Sequence, residues 1–242
     1  TKALTQYMAD GHAEMVFSVN PGKDDRFFLP HHAIWRDNHP STKARIVFNG
    51  AATDRTGYSL NDSLLPGPKM QADLCDVLTR FRTYEYTLIG DIKGMFLQIS
   101  LDPSQRDYLS FLWREPGSDG PIQVFRKTVL TFGLNCSPYL AIQTVKFHLD
   151  SFEEQYPKAV ALVKSQIFVD DVLLGSQRIQ DVIEMRREVS ELMEKGGFRM
   201  CKYLANNAAV MGSVPPEDRA AAAPLVLAEK DWAISADAIP ST

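Results

Sequence analysis

Two adjacent carboxylates, Asp170 and Asp171, stand inside an otherwise apolar run, residues 167–174 (IFVDDVLL). Taking one unpaired charge out of water costs several kcal/mol or shifts its pKa until it neutralises. No Lys or Arg lies within five residues on either side, so the counter-charge must come from elsewhere, and a divalent cation meets that need. The same dipeptide at Asp24-Asp25 is flanked by Lys23 and Arg26 and reads as a solvated loop. The plainer alternative for Asp170-Asp171 is a tight hairpin turn between two apolar strands. Asp91 is the third candidate, at the end of the apolar stretch 86–90 (YTLIG). Three acids from two neighbouring strands can hold two cations roughly 3.5–4 Å apart and drive in-line displacement at phosphorus. One cation sharpens the attacking hydroxyl, and both neutralise charge on the transferring phosphoryl group. The reading requires the three side chains to converge, with no ammonium group plugging the space between them.

Lys43 and Arg45 lie two apart on a predicted strand and point the same way. They could clamp the polyphosphate of a nucleotide, Arg through its planar fork; the alternative is an ordinary solvated strand face. His31-His32 has no Cys or acidic partner at ligand spacing and reads as a strand-end pair, one ring in and one out.

The elements that must position these groups are legible in outline. Residues 26–36 and 43–49 read as two short strands joined by a turn-rich DNHPS. Pro68 sits where a first helical position is expected, and Leu74, Val77, Leu78 and Phe81 recur at helical spacing to about Arg82. Residues 87–92 (TLIGDI) and 96–101 (FLQISL) read as strands on either side of a short interruption. Residues 107–114 and 122–129 read as a hairpin. Ser137-Pro138 reads as an N-cap and first-turn proline opening a helix to about Phe152. Val182, Ile183, Val189, Leu192 and Met193 mark an amphipathic helix stopped by Gly196-Gly197. A last strand, 198–203, precedes an irregular end. The order predicts an α+β fold, an antiparallel sheet backed by helices.

The totals restrict the classes. A chain of 242 residues with 45% hydrophobic and 23% charged residues can bury a sizeable core. No apolar run approaches the roughly 20 residues that span a bilayer, so no membrane partner is expected. Three scattered cysteines exclude a disulfide frame or a zinc knuckle and fit a reducing compartment. A net charge of −4 argues weakly against nucleic acid, which attracts Lys and Arg. Residues 26–127, however, carry 13 basic against 11 acidic residues, so the deficit lies in the later helices and tail. A chain starting at Thr1 and ending in a loose Ala/Pro-rich stretch reads as part of something longer.

Seven blocks in order, LPHHAIWR, KARIVF, SLNDSLLPGPK, DIKGMFLQI, LTFGLNCSPYLA, FVDD and GGFRMCKY, resemble the reverse transcriptase of long-terminal-repeat retrotransposons, most closely the BEL/Pao group. The resemblance runs from about Tyr7 to Met211. It implies a right-hand polymerase with fingers and palm present and the thumb largely missing. The implied division is 1–66 for the N-terminal segment and fingers, and 67–101 for the first part of the palm. Residues 102–130 would return to the fingers, 131–212 would complete the palm with its Asp-Asp turn, and 213–242 would begin the connection to a thumb.

Carried over by position, Asp91, Asp170 and Asp171 match the catalytic acids. With the Ile92 carbonyl they would hold two Mg²⁺ ions (or Mn²⁺). Lys43 and Arg45 match residues on the nucleotide triphosphate, and Phe96 the aromatic gate against a ribose 2′-hydroxyl. Gly133 and Ser137 match the small-residue block beside the template–nucleotide pair, and Lys202 a late-palm lysine sometimes assigned as general acid. Each has a plainer explanation: a core aromatic for Phe96, a helix start for Gly133 and Ser137, a solvated strand lysine for Lys202. Asn49, Gly94 and Phe132 depart from the usual pattern of the wider family without removing an acid. Implied partners are a primed RNA or DNA template, deoxynucleoside triphosphates, and the peptidase, RNase H and integrase of a parent polyprotein. The implied location is cytoplasmic, within virus-like particles. Two rivals are an inactive relic that still binds nucleic acid, and an RNA-dependent RNA polymerase, which shares the paired aspartates.

Overall fold

The computed structural model describes residues 2–17, 27–35 and 44–221. In chain order the elements are α1 (Lys2–Ala9), β1 (Ala13–Met15), β2 (His31–Trp35), β3 (Ala44–Phe48), α2 (Leu60–Ser63), α3 (Leu74–Phe81), β4 (Tyr86–Ile92), β5 (Ser110–Trp113) and β6 (Gln123–Lys127). There follow α4 (Ser137–Ser151), α5 (Pro157–Gln166), β7 (Ile167–Phe168), β8 (Asp171–Ser176), α6 (Ile179–Lys195), β9 (Met200–Ala205) and α7 (Ala208–Gly212). These strands pair antiparallel: a four-stranded sheet β7-β8-β4-β9, a three-stranded sheet β1-β6-β5 and the hairpin β2-β3. This is the α+β architecture expected. No helix among the described residues is long and apolar enough to cross a membrane.

Two apolar clusters organise the chain. The larger lies under the four-stranded sheet, where Leu88 and Ile92 of β4 and Val172 and Leu174 of β8 meet Val145 and Leu149 of α4, Val160 and Val163 of α5 and Val189 and Leu192 of α6. Leu173, on the opposite face of β8, is also buried, and α3 packs against that strand. Strand β8 is thus covered on both faces, which is why its sequence reads as a continuous apolar run. The smaller cluster joins Leu4, Ala13, Leu29, Ile46, Phe48, Leu109, Phe111 and Phe125 around the other two sheets.

Several boundaries differ from the sequence expectation. The helix expected from Pro68 begins only at Leu74, because Asp73 caps it by accepting from the Cys75 N–H at 2.8 Å, and residues 66–73 form no regular element. Residues 96–101 are not a strand: Gly94, at φ +57°, turns the chain into a short 3₁₀ helix, Met95–Gln98. Ser137 is inside α4 rather than its cap. It is fully buried, and its hydroxyl donates to the Thr131 carbonyl at 2.8 Å. The N-cap is Cys136, with no side-chain capping bond. Helices α1, α2, α5 and α7 and strand β1 have no counterpart in the sequence expectation.

Candidate active site

Strands β4 and β8 run antiparallel with Asp91 directly opposite Asp171. Cross-strand partners share a face with Cβ atoms about 4.5–5.5 Å apart, so the two carboxylates lie side by side at one end of the sheet. Asp170 belongs to the two-residue turn that joins β7 to β8, since Phe168 pairs with Asp171. Its carbonyl accepts from the Ile92 N–H at 2.7 Å, locking the turn to the end of β4. The structure therefore brings Asp91, Ile92, Asp170 and Asp171 together.

The electrostatics follow from this crowding. Burial raises the Asp171 pKa, the charges of Asp170 and then Asp91 raise it further, and Lys202 opposes them. Positive charge comes from β9. The Lys202 ammonium donates to Asp91 Oδ2 at 2.9 Å, and the Cys201 thiol lies 3.6 Å from Asp91 Oδ1. Burial lowers the Lys202 pKa, but the hydrogen bond and charge of Asp91 outweigh it, and the net shift is upward. Burial, then the Asp91 charge, push the Cys201 thiol up to about 11.

Lys202 reaches this face through a bulge. Ile89 pairs with Leu204 but Asp91 with Cys201, so β9 carries one extra residue opposite Gly90, and Lys202 has φ +51°. Without the bulge, Lys202 would alternate to the face opposite Cys201. Gly90 permits it: a Cβ there would lie 2.5 Å from the Tyr203 ring. A glycine inside a strand pattern is a signal for such a bulge. The requirement that no ammonium plug the acids is thus not met. The Lys202 side chain is, however, 51% exposed, so solvent can take up its charge if a stronger cation competes.

The other site candidates are placed differently. Lys43 lies outside the described residues. Arg45 is in β3, paired with Ile34. Phe96 is in the 3₁₀ turn after β4, its ring 4.9 Å from that of Phe132. Gly133 has φ +101°, and a Cβ there would lie 1.8 Å from the Phe48 carbonyl oxygen, so close packing against the end of β3 alone demands glycine. Its own carbonyl accepts from the Asn61 amide at 3.2 Å, while Asn135 donates to the Asn61 carbonyl at 2.7 Å. Asn61 and Asn135 escaped the sequence reading; bonds between residues 74 apart leave no local pattern.

Carboxylate and carbonyl oxygens are the donor set that suits Mg²⁺ or Mn²⁺, and the charge crowding at Asp171 favours a cation there. Asp91, Asp170, Asp171 and the Ile92 carbonyl therefore fit the role by chemistry. Among the described residues, no three His, Cys, Asp or Glu side chains already close on one point.

Comparison with known proteins bears on this site. Residues 45–202, more than half of the chain, match the family described as reverse transcriptase (RNA-dependent DNA polymerase). The chain is 26% identical over 175 residues to the Gag-Pro-Pol polyprotein of Human T-cell leukemia virus 3 (strain Pyl43), a match covering 72% of this chain and 11% of that protein. It is 26% identical over 115 residues to the Gag-Pol polyprotein of Bovine immunodeficiency virus (strain R29), covering 48% of the chain and 8% of the relative. It is 30% identical over 112 residues to the Gag-Pol polyprotein of Koala retrovirus, covering 46% and 6%. The matched part spans about a tenth or less of each relative.

Proposed function

The chain belongs to the reverse transcriptase family, and on that footing we propose that it is the fingers and palm of an RNA-directed DNA polymerase within a retroelement polyprotein. The order of its seven sequence blocks supports the BEL/Pao group. The observation that carries the reading is the placement of Asp91 opposite Asp171 on adjacent central strands, with Asp170 in the adjoining turn. Asp91, Asp170, Asp171 and the Ile92 carbonyl would hold two divalent cations, Mg²⁺ or Mn²⁺. Bound there, they would activate a primer 3′-hydroxyl and offset charge on the transferring phosphoryl group.

This chain's own residues do the positioning. The Asp170 carbonyl and Ile92 N–H fix the turn against β4, and Lys202 holds Asp91 until a cation replaces it. Lys43 and Arg45 would take the triphosphate, Phe96 would exclude the ribose 2′-hydroxyl, and Gly133 and Ser137 would shape the floor beside the base pair. The division proposed is 1–66 and 102–130 for fingers, 67–101 and 131–212 for palm, and 213–242 for the start of a connection. Two apolar clusters support it in outline, with Leu101 packed against both and Leu130 and Leu134 crossing the proposed boundary. Template, primer, deoxynucleotides, the other polyprotein domains and a particle location are the corresponding partners and setting.

Asp170→Asn is expected to cut primer extension at least 10³-fold while leaving the circular dichroism spectrum and unfolding midpoint near wild type. Full retained activity overturns the assignment. One observation favours a second reading, an inactive member that binds nucleic acid only: the Lys202 ammonium already neutralises Asp91. Filter binding measured beside primer extension separates the two.

A further inference from the structure

We propose that Gln71 is a positioning residue, a side-chain amide that holds the Val169-Asp170 turn, and through it the Asp170 carboxylate, for the nucleotidyl transfer proposed above, on which this inference rests. Gln71 lies in the irregular segment just before the Asp73 cap of α3. Its Nε2 donates to the Ile167 carbonyl at 3.2 Å, and its Oε1 accepts from the Val169 N–H at 3.0 Å. The geometry explains why an amide is needed. Strand β7 is the edge of the four-stranded sheet. The carbonyl of one residue and the N–H two further on both point away from β8, where a neighbouring strand would have bonded them. A primary amide carries the donor and acceptor of one peptide group, so Gln71 stands in for that missing strand.

The turn needs the support. Val169 has φ +56°, a left-handed conformation that a β-branched residue adopts only under constraint. Packing supplies little of that constraint, because Val169 is 43% exposed and borders a cavity of about 140 Å³ lined with Met70, Gln71, Val145 and Ile167. Hydrogen bonds from Gln71, together with the Ile92–Asp170 bond on the other side, hold the turn from both flanks. Gln71 itself contacts the turn backbone and acts through Asp170.

The test uses the full chain. Gln71→Met keeps the length of the side chain and loses both bonds; Gln71→Glu keeps the acceptor for the Val169 N–H. By NMR hydrogen exchange without metal or nucleic acid, Gln71→Met is expected to speed exchange of the Val169 amide at least tenfold. Leu88 and Ile92 in β4 should be unchanged, and Gln71→Glu should keep Val169 protected. In primer extension, kcat of Gln71→Met should fall at least tenfold with KM for primer–template unchanged. Unchanged Val169 exchange, or faster exchange with unaltered kcat, overturns the proposal. Should Gln71→Met loosen β4 as well, loss of Val169 protection in Gln71→Glu overturns it and retained protection supports it. If the wild-type chain extends no primer while the exchange pattern holds, the clamp stands and the polymerase reading falls.

Discussion

Two lysines, one in each apolar cluster's neighbourhood, show what decides the fate of a positive charge in this molecule. Lys127, in β6, is fully buried, and its ammonium has no hydrogen-bond partner among the described residues. The Tyr7 ring faces it, 4.0 Å from ring centre to nitrogen, and burial pulls its pKa down to about 7. Lys202, in β9, keeps half its side chain in water and rests on Asp91, and its pKa moves up. An aromatic face returns about 0.5–2 kcal/mol to a desolvated cation, less than the several kcal/mol that burial removes. A carboxylate at hydrogen-bond distance reverses the sign. The four-stranded sheet therefore carries its charge where solvent can exchange with it, while the three-stranded sheet encloses one away from water.

The comparison is sharpest in stability against pH. Lys127 has a folded pKa near 7 against 10.5 unfolded, so between those values the unfolded chain binds the extra proton. Stability from this group should rise with pH across that window and be flat below it. Lys127→Met should therefore stabilise the protein by on the order of 4 kcal/mol at pH 7 and below. The gain should vanish towards pH 10.5, measured by urea unfolding at a series of pH values. A loss of stability at pH 7 would mean that the Tyr7 contact outweighs burial. Lys202→Met should move stability by no more than about 1 kcal/mol, because its ion pair is half exposed; a larger loss would break the contrast between the two sites. The smallest effect concerns thiols. Cys75 is exposed, whereas Cys201 is buried with its pKa pushed up to about 11. Iodoacetamide at pH 8 should label Cys75 and leave Cys201 unmodified over the same interval, as read by peptide mass spectrometry.

What the sequence revealed and what it hid divide along the range of the interactions. The acid pair was legible because charge inside an apolar run is a local anomaly. Helix α6 was legible because Val182, Val189, Leu192 and Met193, all buried, keep a helical period. Helix α5 was not, since its apolar residues, Ala159 to Val163, form one short continuous run that carries no period to separate helix from strand. The 96–101 segment misled because Phe96, Leu97 and Ile99 suit a strand, while the turn at Gly94 decided otherwise. Within the site, Asp91 and Asp171 could be paired from the expected sheet. The approach of Lys202 required a bulge, and the clamp by Gln71 joins residues 96 and 98 apart. Such contacts exist only after the chain has closed, and no window of sequence contains them.

The single extra residue in β9 opposite Gly90 also sets what kind of genetic change this protein can absorb. Losing the Tyr203 codon would restore a regular ladder, carry the Lys202 ammonium to the far side of the sheet and take a buried ring out of the larger cluster, and losing the Lys202 codon would remove the ammonium and shift Tyr203. Losing one codon between Arg114 and Ile122 would only shorten an outer turn. A codon-by-codon deletion scan should find the first stretch intolerant and the second permissive, although neither would look special by composition.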